Sequence, residues 1–433
     1  MIKLNEEKRQ TEGLPIVKAK KPDRVFIPLS QHIGKACQPV VKIGDSVKTG
    51  QLIATLTEKT VFSPIHSSVS GKVKSIQDHP HPVLGLSKAI SIESDGLDTH
   101  ADFKSRSKEE VDRLSAEDLR KIIFDAGIVG MGGASFPTHI KLSPPKPIDS
   151  FILNGAECEP YLTSDNRIMI EKTKEILLGA EIVMKCSGAK NAYIAIEDNK
   201  PEAIEAFKKA MQSTVRSPQS AKYTIRVIKS GYPQGGEKQL TKTVLRREVP
   251  SGKLPFDIGV VVQNVATVYA IYEAVYSGKP LYERVVTVTG TCLEHPANLL
   301  ARIGTPIKDL IDQCGPLKKE PKKIIFGGPM MGIAQYSLDA PIIKSTNGVI
   351  LLAESEVEPA EEKLCIRCGR CIEYCPLGLM PCMMSLAAEK EKWDLAKAYG
   401  CMECMECGAC NYVCPQKRNI VQAIKHAKTR IKK

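Results

Sequence analysis

The sequence is poor in aromatic residues and has no long hydrophobic run. Among 433 residues, aromatics make up 5%, with a single Trp, and hydrophobic residues make up 42%. No apolar stretch reaches the roughly 18 residues that a membrane-spanning helix needs, so we expect no transmembrane segment. The start, MIKLNEEKRQTEG, contains acids and lacks the apolar stretch of a secretory signal. We therefore expect a globular cytosolic protein of several domains, since one core rarely serves so long a chain.

The pattern of a nucleic-acid groove is also missing. The formal net charge is +12, which suits an acidic protein, a nucleic acid or an anionic membrane surface. No basic stripe interleaved with aromatics appears, which argues against nucleic acid. The C-terminal stretch QKRNIVQAIKHAKTRIKK holds seven Lys or Arg and no acid. A solvated helical tail is its simpler interpretation, and a basic face toward a membrane or an acidic redox partner is the alternative.

The first hundred residues divide into a tail and a small β unit. Residues 1–24 are charged, contain two prolines and lack periodicity, which predicts a flexible tail. Residues 25–100 carry short β-branched runs between turn residues. GDSVKTGQLIA and SPIHSSVSGKV resemble the halves of lipoyl and biotin carriers, so we predict an all-β barrel-sandwich hybrid. Lys59 is the candidate for a modified lysine, but it lies close to Pro64 without the flanking motif, so we predict no prosthetic group.

The middle of the chain alternates strands and helices. In residues 110–280, Ser115 followed by Asp118 indicates a capped helix start. FILNGAE and AYIAIED indicate buried strands, and helices are predicted near 170–185 and 201–212. This alternation predicts a Rossmann-like α/β/α domain with a largely parallel sheet.

Two further domains are predicted after the α/β region. Residues 281–355 are again rich in β-branched residues, which predicts a small β-grasp domain of the SLBB type. Residues 356–433 begin with an acidic linker and predict a helical region that contains most of the cysteines. The fold class is therefore a multidomain α/β protein.

Cysteine is abundant but unevenly distributed. Of 15 cysteines, ten lie between Cys365 and Cys414. In a cytosolic chain this favours metal or redox chemistry over structural disulfides. The other five have no mutual ligand spacing and are interpreted as small apolar fillers. They are Cys37, Cys158, Cys186, Cys292 and Cys314.

The pattern C-x2-C-x2-C-x3-C-P occurs twice near the end of the chain. In such a pair, three thiolates of each run wrap one iron–sulfur cluster, and the cysteine before proline reaches the other cluster. We assign one [4Fe–4S] centre to Cys365, Cys368, Cys371 and Cys414. We assign the second to Cys404, Cys407, Cys410 and Cys375. A zinc scaffold is the alternative, although zinc sites use CxxC pairs with longer spacers. Cys382 and Cys401 are left over and are interpreted as packing residues or spare thiols. A role as a competing ligand is the alternative for Cys401, because it extends the second run by another x2 step.

Clusters carry single electrons whereas NADH supplies a hydride, so a chain that joins them needs a converter, usually a flavin. The GxGxxG fingerprint is absent. Two other glycine elements, GIVGMGGASFP and YPQGGEKQL, each open a helix, and their backbone N–H groups suit a phosphate or a ring. Their residues are Gly130, Gly132 and Gly133 in the first element and Gly235, Gly236 and Glu237 in the second.

Several stretches resemble the RnfC family, which supplies one subunit of the Rnf electron-transport complex, a membrane-bound ferredoxin:NAD oxidoreductase. They are GIVGMGGASFPTHIKL, FILNGAECEP, YPQGGEKQL, VPSGKLPFDIGVVVQNVATV and the twin cysteine motif. The resemblance runs from about Arg24 to Pro415. The middle region also resembles the flavin-bearing, NADH-oxidising subunit of respiratory complex I.

The resemblance implies non-covalent FMN, NAD(H) and a set of residues around them. The loop at the phosphate and ring corresponds to Gly130, Gly132, Gly133 and Lys141. The segment beside the isoalloxazine and nicotinamide corresponds to Asn154, Glu157 and Glu159. The second glycine element corresponds to Gly235, Gly236 and Glu237. The helix start in QNVAT corresponds to Asn264 and Thr267. Phe136 corresponds to a ring that stacks on the nicotinamide or adenine. The chain departs from the pattern at Ser135, where many relatives have glycine, and at Ala156 and Lys238, where complex I has acids.

The resemblance also implies a function. Hydride passes between NAD(H) and FMN, and single electrons pass between FMN and the two clusters, without a catalytic acid or base. The chain is then a peripheral subunit on the cytoplasmic face of the cell membrane. Its partners are iron–sulfur and integral membrane subunits, and ferredoxin indirectly, with no nucleic acid. The alternatives are a cobalamin-reducing flavoprotein of the same superfamily, which the order of domains disfavours, and an electron-wire subunit without a nicotinamide site.

Overall fold

A computed structural model describes residues 1–58, 60–133, 135–214, 222–357, 361 and 363–431. Lys59, the candidate for a modified lysine, lies outside these residues. Across the ranges described, no helix combines the length and the apolar character needed to cross a membrane.

Residues 1–24 pack against two other regions of the chain. The strand β1 (Ile16–Lys18) pairs in parallel with a strand of the third region. Ile2 and Tyr232 exchange two backbone hydrogen bonds of 2.9 and 2.8 Å. The Lys8 side chain is only 3% exposed. The sequence-based expectation of a flexible tail is therefore corrected, because this segment has buried apolar and charged partners elsewhere in the chain.

The next region is a sandwich of two small antiparallel sheets. Its strands are β2 (Arg24–Pro28), β3 (Gln38–Pro39), β4 (Ser46–Val47), β5 (Leu52–Thr55), β6 (Ile65–His66), β7 (Gly71–His81) and β8 (Gly85–Ser94). They pair in the orders β2-β8-β7-β4 and β3-β5-β6. Val25, Ile53, Ile65 and Ile90 point into the core and are fully buried. β-branched residues suit this pleated, half-buried surface, as the sequence predicts.

The middle region is a parallel four-stranded sheet with helices. Its elements are α1 (Lys108–Arg113), α2 (Ala116–Asp125), α3 (Thr138–Lys141), β9 (Ser150–Gly155), α4 (Ser164–Glu171), α5 (Thr173–Ser187), β10 (Asn191–Glu197), α6 (Pro201–Thr214), β11 (Lys222–Ile228), α7 (Glu237–Leu245), β12 (Val260–Asn264) and α8 (Val265–Tyr276). The strand order is β11-β10-β9-β12. The capped helix start is confirmed, because the Ser115 hydroxyl accepts from the Asp118 amide at 3.1 Å and the Asp118 carboxylate accepts from the Ser115 amide at 2.9 Å.

The third region is a mixed sheet with one helix. Its elements are β13 (Glu283–Thr289), β14 (Ala297–Arg302), α9 (Ile307–Gln313), β15 (Lys323–Phe326), β16 (Ile333–Ala334) and β17 (Gly348–Leu352), and the sheet order is β1-β14-β13-β17-β15-β16. The buried Lys344 ammonium donates to the carbonyls of Pro64 and Gly127, both at 2.7 Å. Burial lowers the pKa of Lys344 to about 7. This residue therefore fastens the third region to the β sandwich and to the start of the first glycine element.

The last region is a cluster of short helices. They are α10 (Arg370–Glu373), α11 (Pro381–Glu389), α12 (Trp393–Ala398), α13 (Ala409–Tyr412) and α14 (Ile420–Ile431). Short 3-10 helices occur at Pro255–Ile258, Glu354–Glu356 and Cys401–Glu403. Helix α14 buries Ile420, Ile424 and Ala427 against α11 and α12. Within the basic C-terminal stretch, Ile420–Ile431 thus form an amphipathic packed helix rather than a free tail.

Candidate flavin cleft and cysteine centre

The first glycine element forms a tight loop before α3. The Gly130 amide donates to the Phe136 carbonyl at 2.9 Å, and Val129 and Pro137 form an isolated bridge. Gly132 and Gly133 are both exposed. A Cβ on Gly132 would lie 2.6 Å from the Asn264 amide nitrogen, so this close approach requires glycine, whereas a Cβ on Gly133 would meet nothing within 4 Å. The loop therefore presents an open backbone surface of the kind that can cradle an anion.

Two predicted residues hold this loop in place. Asn264 ends β12 and caps α8, where its carbonyl oxygen accepts from the amides of Ala266 and Thr267 at 2.9 and 3.3 Å. Its amide nitrogen donates to the Asp165 carboxylate at 2.6 Å. The Thr267 hydroxyl accepts from the Met131 amide at 2.9 Å. Asn264 and Thr267 thus support the glycine loop from behind.

The second glycine element lies at the same sheet edge and contacts α3, the helix that follows the first element. Asn154, at the end of β9, donates to the Gly235 carbonyl at 2.9 Å. Lys141 of α3 pairs with Glu237, the first residue of α7. Asn154 and Asn264 are register partners because β9 and β12 are parallel and adjacent. The carboxyl edge of a parallel sheet is where α/β folds bind ligands. The structure therefore brings the predicted residues of four segments to one edge, with the half-buried Phe136 on the first loop.

Glu157 is turned inward from this edge. Its carboxylate accepts from the Asp165 and Asn166 amides, at 2.8 and 3.3 Å, at the start of α4. Lys8 pairs with the same carboxylate at 3.9 Å and also donates to the Glu157 carbonyl. The Glu157 amide donates to the Glu197 carboxylate at 3.0 Å. Burial and the neighbouring Glu157 raise the pKa of Asp165 to about 7. Glu157 is therefore a structural anchor in a buried charge cluster.

Glu159 faces the third region. Its carboxylate accepts from the backbone amides of Met330 and Met331 at 3.0 and 2.9 Å. Burial raises its pKa to about 6, against the effect of these two amides. It also contacts the hydroxyl of Tyr232, which is 1% exposed. Glu159 thus joins the end of the NGAECEP segment to the SLBB-like region.

The four cysteines assigned to the second centre surround one cavity. They are Cys404, Cys407, Cys410 and Cys375, and the cavity is also lined by apolar residues that include Leu377, Leu379 and Val421. The Leu379 and Glu406 amides point at the sulfurs of Cys375 and Cys404 at 3.3 and 3.4 Å. Hydrogen bonds to sulfur of this kind surround iron–sulfur clusters in proteins. A group larger than one ion, with four thiolates around it, fits this donor set.

The cysteines of the other set are less closely gathered. Cys371 lies near Cys382 and Cys365, and burial raises the Cys371 pKa to about 11. Cys414 packs in the same apolar cluster as Cys371, whereas Cys368 is exposed. In the ranges that the structure describes, no three His, Cys, Asp or Glu side chains have the geometry of a single-ion site.

The loop that carries Cys404–Cys410 rests on the second glycine element. A Cβ on Gly236 would lie 2.6 Å from the Met405 methyl carbon. Glu403 accepts from the Gly252 amide at 3.1 Å and pairs with Lys238 at 3.7 Å. The Gln239 side chain donates to the Pro376 carbonyl at 2.5 Å. Lys238, a departure from the complex I pattern, therefore has a partner in the cysteine-rich region.

The sequence matches three family models in the same order as these regions. They are the RnfC barrel sandwich hybrid domain over residues 2–97, the Nuo51 FMN-binding domain over 123–273 and the SLBB domain over 285–334. The chain is 49% identical to the RnfC-type subunit of the proton-translocating ferredoxin:NAD(+) oxidoreductase complex of Clostridium ljungdahlii, over 98% of this chain and 92% of that protein. The chain belongs to the RnfC family of oxidoreductase complex subunits. Another RnfC relative, from the Na(+)-translocating complex of Acetobacterium woodii, is 42% identical over 98% of this chain and 94% of its own length.

The fold of this RnfC chain also resembles a solved structure of lower sequence identity. An NAD+-reducing [NiFe]-hydrogenase in the H2-reduced state superposes with a TM-score of 0.50 at 16% identity, over 77% of this chain and 68% of that chain. At this identity the likeness concerns the fold alone.

Several residues of this RnfC chain that build the site carried no sequence motif. Lys8 belongs to a segment without periodicity, and Asp165 looks like an ordinary first-turn acid of α4. Arg284 lies in a β-branched run, yet it is buried and donates to the Lys344 carbonyl at 2.6 Å. A charged residue inside a β-rich run was the one available signal for Arg284.

Proposed function

We propose that this RnfC chain exchanges hydride between NAD(H) and a non-covalently bound FMN in the cleft between its two glycine elements. FMN bound there supplies the conversion between a hydride and single electrons. Exposed amides of Gly132 and Gly133 suit its phosphate, and Lys141 adds a positive charge at the rim. Asn154 and Asn264 hold the edge of the sheet beneath the isoalloxazine ring of FMN. Phe136 is the candidate for stacking on the nicotinamide or adenine.

We further propose two [4Fe–4S] clusters with the crossed ligand sets given by the sequence. The inner centre is the one held by Cys404, Cys407, Cys410 and Cys375. The observation that carries this proposal is the contact between the Cys404–Cys410 loop and the cleft, through Met405 against Gly236. Such proximity allows single electrons to pass between the two sites. The chain orients the reactants and excludes water, and no side-chain acid or base is needed.

The relatives are named as subunits of translocating complexes that use ferredoxin and NAD(+). We propose by this similarity that the chain joins such a complex at the cytoplasmic face of the membrane, beside iron–sulfur and integral membrane subunits. Cell fractionation tests this placement. The chain is expected with the membranes at low salt and in the soluble fraction after a high-salt wash, and recovery in the soluble fraction at low salt would refute it.

Reconstitution tests the chemistry. Full-length chain is loaded anaerobically with FMN, iron and sulfide, and NADH is added. Flavin bleaching followed by cluster bleaching supports the proposal. If NADH bleaches neither group, the hydride-exchange function is rejected and the chain is an electron-wire subunit without a nicotinamide site. If the protein is colourless and contains zinc, the cluster assignment is overturned.

A matched pair of variants tests the cradle. Gly133→Val adds a side chain to the open loop, and we expect FMN affinity, measured by quenching of flavin fluorescence, to fall at least about tenfold. Gly13→Val is the control, because Gly13 is also exposed with nothing near its Cβ position. Equal FMN affinity in both variants would place the phosphate elsewhere.

A further inference from the structure

One buried tyrosine lies between the proposed flavin cleft and the inner cysteine centre. Tyr232 is the first residue of the second glycine element, YPQGGEKQL, and is 1% exposed. Its hydroxyl donates to the Cys407 carbonyl at 2.5 Å and contacts the Glu159 carboxylate. Its backbone is held by two hydrogen bonds to Ile2. The side chain thus contacts a proposed cleft residue and a proposed cluster ligand at once.

The ring of this tyrosine belongs to an apolar cluster. Tyr232 is buried there together with Ile2, Cys407 and Ala409, and the cluster is covered by Leu4, Cys158, Met330 and Met405. In such a low-dielectric environment a hydrogen bond is stronger, and an unsatisfied carbonyl is more costly, than at the surface. The Cys407 carbonyl therefore depends on this hydroxyl for its position.

The same cysteine loop has a second tight contact beside the tyrosine. A Cβ on Gly408 would lie 2.6 Å from the Met330 carbonyl oxygen, and the Met330 amide donates to Glu159 at 3.0 Å. The cysteine loop is thus connected to Glu159 by two sets of contacts, one through Tyr232 and one through Met330. Of the two, only the contact through Tyr232 involves a residue assigned as a cluster ligand, Cys407.

We propose that Tyr232 is a positioning residue that fixes the inner cluster loop against the flavin cleft. Through its hydrogen bond to the Cys407 carbonyl, Tyr232 sets the orientation of the Cys407 thiolate. It thereby sets the distance between the inner centre and the flavin cleft and the hydrogen bonds that the inner centre receives. The inference rests on the proposed function for the identity of the two groups that Tyr232 joins. Tyr232 itself neither accepts hydride nor binds iron, so it is not a catalytic residue.

Tyr232→Phe removes the hydroxyl and keeps the ring, so apolar packing is retained. Tyr223→Phe is the matched control. Tyr223 is a largely buried residue of β11, and its hydroxyl has no hydrogen-bond partner in the described part of the chain. Both variants are prepared as full chains reconstituted anaerobically with FMN, iron and sulfide.

Two readouts separate positioning from a merely structural role. In stopped flow with NADH, we expect Tyr232→Phe to reduce flavin at the wild-type rate but to reduce the cluster about fivefold more slowly or worse, as loss of one hydrogen bond implies. In dithionite-reduced samples, its cluster EPR signal is expected to shift in g-value, since hydrogen bonding tunes such centres. Tyr223→Phe is expected to match the wild type in both.

The outcomes distinguish this inference from the proposed function. If Tyr232→Phe and Tyr223→Phe give the same cluster reduction rate and the same EPR signal, the positioning role is overturned. If NADH fails to bleach the wild-type flavin, the proposed function is overturned, whereas the dithionite EPR comparison still tests Tyr232. Equal iron content in all three proteins shows that the variants fold.

Discussion

The flavin cleft and the cysteine centre lie side by side but are held together differently. The cleft stands on a parallel sheet and on helices such as α5, which has 15 residues, around a large hydrocarbon core. The cysteine-rich region has helices α10 and α13 of four residues each. Its buried cluster includes Cys371 and Cys410 as core members. Proposed cluster ligands are therefore part of what fills this small core.

This difference shows where ligand binding and folding are coupled. In the proposed cleft, Asn154, Asn264 and Lys141 already have protein partners, so we expect the site to exist before FMN binds. Isolated helices as short as α10 and α13 are unstable in water without tertiary support. Where metal ligands complete a small core, metal binding free energy becomes folding free energy. We therefore propose that the cleft is a preformed site and that the cysteine centre is completed by its metal.

Removal of one thiolate from the inner centre should have the largest effect. Cys410→Ala is expected to lose about four iron atoms per chain, the content of one cluster, and to make residues 363–431 sensitive to protease while residues 110–280 persist. Iron analysis and limited proteolysis with mass spectrometry measure both. The control is Cys401→Ala, since Cys401 is buried but assigned no ligand role. Equal iron loss in both variants would contradict the ligand assignment, and uniform proteolysis would remove the contrast between the two regions.

The second prediction concerns the charge cluster behind the cleft. Lys8→Met leaves the Glu157 carboxylate buried without its cation, and breaking a buried pair in this way costs about 3 kcal/mol of unfolding free energy. Both side chains of the pair are at most 4% exposed. Denaturant unfolding of the cofactor-free chain measures the loss.

Arg9→Met is the control for Lys8→Met, because the neighbouring Arg9 is exposed and a surface change has little effect. If both variants unfold like the wild type, the N-terminal segment is the flexible tail that its sequence suggests. The preformed character of the cleft would then not depend on that segment.

Local patterns predicted much of the fold. Alternating strands and helices, the Ser115 cap and the β-branched runs follow from neighbours in sequence, and the structure confirms them. The burial of Lys8 could not be predicted in this way, because it depends on Glu157 and Glu197, which are more than 140 residues away in sequence. A charged, aperiodic segment has the same local pattern whether or not the fold provides buried partners for it.

The candidate site shows the same division. The glycine elements and the cysteine spacing were visible because their chemistry requires those residues at that spacing. Sequence similarity placed Asn264 and Thr267 near the ligand, but the structure places both as supports of the glycine loop. Tyr232 opens the YPQGGEKQL motif, but that motif does not predict its contact with Cys407, because the contact depends on the docking of a loop 175 residues later.

The third prediction concerns the pH dependence of the cleft. Burial raises the pKa of Glu159 to about 6, from a model-compound value of 4.5. The folded chain therefore holds this proton more tightly than the unfolded chain, and the stability from this group is complete below about pH 4.5 and is lost as pH rises through about 6. Relative to Glu159→Gln, the wild type should lose up to about 2 kcal/mol of unfolding free energy between pH 4.5 and 7. If the unfolding free energies of the wild type and Glu159→Gln change in the same way with pH, Glu159 is hydrated rather than buried in the cofactor-free chain.

The smallest effect is expected at Ser135, and it tests directly whether the glycine loop is preformed. Ser135 has a φ of +55°, a left-handed conformation that favours glycine. Ser135→Gly should therefore stabilise the cofactor-free chain by about 0.5 kcal/mol, the steric relief slightly exceeding the added entropy of the unfolded chain. Ser143→Gly, at an exposed position outside the left-handed region, should instead destabilise by a similar amount, and thermal unfolding measures both. If Ser135→Gly stabilises the chain only after FMN is added, the loop takes this conformation only when FMN binds. The cleft would then be completed by its ligand, as we propose for the cysteine centre, despite its large hydrocarbon core.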